Sequence, residues 1–174
     1  VGLRERSTRL AGRRVAGVAA QARGGALALL AAMAGTDRPA VPSGTLTVAW
    51  TAQGVVGDRG LARLLTEARP DRLVLIMRTP SGRGENAAGE TGRLGGGPLV
   101  GAASQSMVDA AGRIGITVQA ALQAKAPQVA STVPQIDLLA LPVVYAQTPV
   151  ETVSSDDLVG LARLLPVALH HRDL

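Results

Sequence analysis

The chain has 174 residues, enough for one domain, and its 47% hydrophobic content comes almost wholly from Ala, Val and Leu, with one Tyr, one Trp and no Phe. It has no Cys, which excludes disulfides, thiolate metal sites and cysteine nucleophiles together. The net charge is +5, but every basic residue except Lys125 is Arg, a skew that GC-rich codon usage explains better than a nucleic-acid partner does.

The densest basic run, Arg4, Arg6, Arg9, Arg13 and Arg14, opens the chain and could meet phosphate. It lacks interleaved aromatics, so stacking on single strands has no support. We read residues 1–16 as a basic N-terminal segment and 17–174 as the folded domain. Gln21 to Ala34, rich in Ala and Leu, reads as a buried helix closed by Gly35. Gln21, Arg23 and glycines interrupt the apolar stretch around it, so it falls short of the roughly 18 residues that a membrane span needs. No signal-peptide pattern appears, and the expectation is a cytoplasmic protein without a membrane partner.

After a turn-rich linker, LTVAWT (46–51) alternates like a strand, with Leu46, Val48 and Trp50 on one face. Leu61, Leu64, Leu65 and Ala68 lie at helical spacing, and Pro70 ends that helix. DRLVLIM (71–77) reads as a central strand, and Thr79 to Gly97 as a long glycine-rich loop. Met107 to Ile114 reads as a helix, ITVQAAL and IDLLALPVV as strands. A last helix follows, which Ser154 or Ser155 can cap, with Asp156 and Asp157 favouring its N-terminus. This alternation predicts an α/β fold, a layered mixed β-sheet flanked by helices.

Few residues here suit catalysis. His170 and His171 are adjacent, four residues from the end, and would point about 100° apart on a helix, so they read as a solvated tail. The glycine-rich loop has no Walker pattern. Ser104 and Ser106 have no elbow glycines and no internal His. Glu67, Asp71, Asp109, Asp137, Glu151, Asp156 and Asp157 mostly fall at helix ends or turns, where capping is the simplest role.

Several motifs in order resemble one family. TAQGVVGDRG followed by PDRLVLIM is similar to the stretch of glutamyl and tetrahedral aminopeptidases that reads Thr-Val-Gln-Glu-Glu-Val-Gly, then Arg-Gly, then Pro-Asp and a strand ending in Asp. RLGGGP resembles Arg-Leu-Gly-Lys-Gly-Pro, and GITVQ resembles Gly-Ile-Pro-Tyr-Gln. LPVVYAQTPVE resembles Ile-Pro-Thr-Arg-Tyr-Ile-His-Ser-Pro-Val-Glu, and GVAAQARGGALALL stands where the family has Gly-Arg-Ala-Leu-Asp-Asp-Arg and a helix.

The resemblance implies a zinc-exopeptidase-like fold lacking the family's inserted β domain. The family's enzymes use two zinc or cobalt ions bridged by a carboxylate, with a Glu as general base. Carried over by position, the bridging Asp falls on Gln21, the general base on Gly54, and further ligands on Val55, Met77 and Gln147. The family's Gly-Gly-Thr-Asp turn falls near Leu122 to Ala126, which offers no acid. The resemblance therefore implies a degenerate member with no bound metal or other cofactor, a cleft less polar than the family's, and a structural, assembly or ligand-binding role.

The implied partner is a second copy or a paralogous aminopeptidase subunit. An aminopeptidase still active on peptide N-termini, and a basic nucleic-acid-binding module, are the alternatives.

Overall fold

The computed structural model describes residues 7–35, 45–51, 57–79, 92–101, 103–122 and 125–170. In chain order these form β1 (Thr8–Leu10), β2 (Arg14–Gly17), α1 (Ala20–Ala34), α2 (Arg59–Ala68), β3 (Arg72–Met77), β4 (Leu99–Gly101), α3 (Gln105–Arg113) and β5 (Gln119–Leu122). A 3-10 turn (Gln128–Ala130), β6 (Gln135–Ala140), β7 (Glu151–Ser154) and α4 (Ser155–His170) complete them.

Two sheets result. The larger is mixed, in the order β3-β6-β4-β5, with β3 parallel to β6, β4 antiparallel to β6, and β5 parallel to β4. The smaller is antiparallel, in the order β1-β2-β7. No cis peptide occurs among the described residues.

The pleat of β3 explains the layering. Its alternate residues Val74 and Ile76 pack with Leu139 of β6, Ala28 and Ala32 of α1, and Leu161, Leu164 and Leu165 of α4. Leu73 and Leu75 turn the other way, against Leu61 and Leu65 of α2 and Ala130 and Val133. The sheet is therefore covered on both faces, and its strands are correspondingly continuous in apolar residues.

Two adjacent glycines in α1, unfavourable by propensity, have a packing reason. A Cβ on Gly24 would lie 2.9 Å from Leu141 Cδ1, and one on Gly25 would lie 2.8 Å from Ile76 Cγ2.

The expected helices and the strands of 71–77 and 136–144 are present with shifted ends, as is the mixed layered architecture. One expected strand is not: residues 45–51 form no ladder, and Leu46 and Trp50 are 38% and 59% exposed. Alternation alone does not supply the hydrogen-bonding neighbour that a strand requires. The basic opening contains two strands that its charges concealed, and β2 reaches β7 in the register Val15 to Val153.

At α4, Ser154 is the cap: its Oγ accepts the N–H of Asp156 at 3.2 Å. Gly35 closes α1 by donating its N–H to Ala31 O at 3.0 Å, with φ −55° and thus without the left-handed turn expected of a glycine cap.

Candidate functional site

The C-terminal ends of parallel strands and the N-termini of neighbouring helices are where α/β folds gather ligands. Here β3 ends at Met77, and the next two residues, Arg78 and Thr79, run toward the start of α1. Gln21, in the first turn of α1, is 2% exposed. Its Nε2 donates to Thr79 Oγ1 at 2.8 Å and to Leu141 O at 2.7 Å, while its Oε1 accepts the N–H of Thr79 at 3.3 Å. The amide ties the end of β3 to the segment after β6.

Glu151, which opens β7, is 1% exposed. Its Oε1 accepts from Arg78 Nη2 at 2.9 Å and from the Gln147 N–H at 2.8 Å. Its Oε2 accepts the Gln21 N–H at 3.2 Å, so Glu151 caps α1 from a distant part of the chain. Three donors, one cationic, compensate the charge of this buried carboxylate.

Beside it lies a cleft of about 430 Å³, lined by Val18, Ala19, Arg78, Gln147, Thr148, Pro149 and Glu151. The backbones of Ala19, Tyr145 and Gln147 are left-handed, with φ of 52°, 56° and 61°. Side chains rarely adopt that region outside sites that hold them there.

Of the positions singled out from the sequence, Gln21 and Gln147 meet here, joined through Glu151. Met77 ends the adjoining strand, but its side chain packs with Leu99, Leu138 and Ala140 in a separate apolar cluster. Gly54 and Val55 lie outside the described residues. Among the described residues, no three His, Asp or Glu side chains group closely enough to hold a metal ion.

The Arg78–Glu151 pair lies in the wall of the cleft. One expectation needs correction: Asp137 and Glu151 are not at helix ends or turns but are strand residues with an Arg partner, Asp137 Oδ2 accepting from Arg72 Nε at 2.9 Å and Nη2 at 2.6 Å. Sequence reasoning missed Arg78 and Thr79, although an Arg directly after an apolar strand is itself a signal.

Asp157, expected only to favour the start of α4, does more. Fully buried, it accepts the N–H groups of Gly95 and Gly97 at 2.8 Å each, fixing the end of the glycine-rich stretch. Burial raises its carboxyl pKa; the two backbone bonds oppose that shift, and the nearby charge of Asp156 adds to it.

No family model and no curated protein matches the chain. Solved structures do, several aminopeptidases among them. The TET1 peptidase of Pyrococcus horikoshii superposes with a TM-score of 0.80 at 21% identity, covering 98% of this chain and 54% of that one. The TET aminopeptidase of the marine sediment archaeon Thaumarchaeota archaeon SCGC AB-539-E09 gives 0.76 at 19%, covering 98% and 53%. Aminopeptidase APDkam598 of the archaeon Desulfurococcus kamchatkensis gives 0.73 at 19%, covering 97% and 52%.

The chain thus spans about half the length of these proteins. It has the fold of the tetrahedral aminopeptidases, the family that its motifs resemble. No helix among the described residues is long and apolar enough to cross a membrane.

Proposed function

We propose that this is an aminopeptidase-fold domain that no longer performs metal-dependent hydrolysis and serves in binding or assembly. The proposed aminopeptidase-like unit spans residues 17–174, with the basic segment 1–16 adding β1 and most of β2 to the small sheet through β7. The observation that carries this reading is the state of Gln21. Where the resembling enzymes place a bridging carboxylate, this chain has a neutral amide whose two protons and oxygen are committed to Thr79 and Leu141.

Turning that amide toward an ion would strand a buried carbonyl and a buried N–H. Met77 offers a thioether, a soft donor poorly matched to zinc and packed among aliphatic side chains. Gln147 offers a second neutral amide in place of an imidazole. This donor set does not fit a pair of zinc or cobalt ions.

An assembly role finds support in the Pyrococcus horikoshii TET1 peptidase, which assembles into a tetrahedron or a large octahedral shell. The partner proposed here is a second copy of this chain or a paralogous aminopeptidase subunit. A cytoplasmic setting belongs to the same proposal. The test is an aminoacyl reporter assay with added zinc or cobalt: no release above the uncatalysed rate is expected. Metal-dependent turnover abolished by chelation would overturn the reading.

A further inference from the structure

The cleft beside Gln21 exposes a cation. Met77 stands at a position that the family resemblance assigns to an acidic ligand, and the next residue, Arg78, brings a guanidinium to the cleft wall. Arg78 holds Glu151 with Nη2 alone, its side chain is 44% exposed, and among the described residues Nε and Nη1 have no partner.

Glu151 is shut away at 1% exposure and saturated by three donors. The accessible charge is therefore the cation. We infer that this cleft binds a small monocarboxylate with a short aliphatic tail, the carboxylate meeting Arg78 and the tail lying against Val18, Ala19 and Pro149. The inference rests on the proposal that the cleft holds no metal pair.

Three features favour this ligand class. A guanidinium fork matches a carboxylate geometrically and forms stronger bonds with it than neutral donors do. The Glu151 charge behind Arg78 opposes a dianion more than a monoanion, which disfavours phosphate. A volume of about 430 Å³ lies within the range of small-molecule sites.

The cleft is also built in advance: Glu151 fixes Arg78, the Gln147 backbone and the first turn of α1 together, so little ordering remains for binding to impose.

The test is calorimetric titration of the full chain with butyrate at fixed ionic strength, with propylammonium and inorganic phosphate as counter-probes. Saturable butyrate binding is expected, weakened about tenfold or more in Arg78→Gln and partly kept in Arg78→Lys. Val18→Asp, at a 37% exposed position, leaves the Arg78–Glu151 pair intact and should weaken butyrate comparably.

No saturable butyrate binding by folded wild type, undiminished binding by both Arg78→Gln and Val18→Asp, or equal binding of propylammonium or phosphate would overturn the inference. Zinc titration separates the two proposals. Near-stoichiometric zinc overturns the metal-free reading and this inference with it, whereas absence of both zinc and butyrate binding overturns this inference alone.

Discussion

Gln21 has a structural part at the cleft. Its amide bridges Thr79 and Leu141, so Gln21→Ala should destabilise the chain by about 2–4 kcal/mol in denaturant unfolding, because buried groups lose their partners. Gly97 has a different constraint. Its φ is +96°, and a Cβ there would run into the Thr117 carbonyl, so Gly97→Ala should cost about 3 kcal/mol or more.

Asp157 supplies a pH signature. Because burial raises its pKa above the ordinary 3.8, the folded chain holds that proton more tightly than the unfolded chain does. The resulting contribution to stability is complete below about pH 3.8 and is lost as pH rises through the raised value. Unfolding of wild type and Asp157→Asn compared across that window should therefore show the wild-type advantage shrinking as pH rises. A gap independent of pH would contradict the assignment.

The elements divide by how their stability arises. Those legible in the sequence carry a strong period or a dense apolar run: α2 through Leu61 and Leu65, α4 through Leu161, Leu164 and Leu165, β3 through its run from Leu73 to Met77, and β6 through Leu138, Leu139 and Ala140. Strands β4 and β7 have three and four residues, too short for any period to register, and β1 and β2 lie within an Arg-rich run. LTVAWT failed in the opposite direction, having the period without a partner.

The site was half legible. Ordered motifs led to Gln21 and Gln147, but motifs mark only what a family retains or loses, so Arg78 and Thr79 passed unnoticed. Glu151 was read as a turn or cap residue. It does cap α1, and it also organises the cleft, which only a contact 130 residues apart in sequence reveals. Leu164, fully buried between α4 and the sheet, should cost about 2–5 kcal/mol when cut to Ala, measured as a lower denaturant midpoint with unchanged slope.

At the scale of the molecule, a two-faced sheet is braced by α1 and α4, and a small antiparallel sheet is joined to it through β7 and the start of α4. The outer strand β1 is exposed at all three residues, whereas β6 is buried over its last four. Amide exchange should therefore be fastest in Thr8–Leu10 and slowest in β6. The fold is that of an enzyme family, but fold does not fix chemistry, and the chemistry here turns on a few side chains at one cleft.

The central claim is that these side chains have given up the metal pair. The most direct measurement is metal content after equilibration with excess zinc and removal of unbound ion. Far less than one zinc per chain is expected, and one or two per chain would contradict the account.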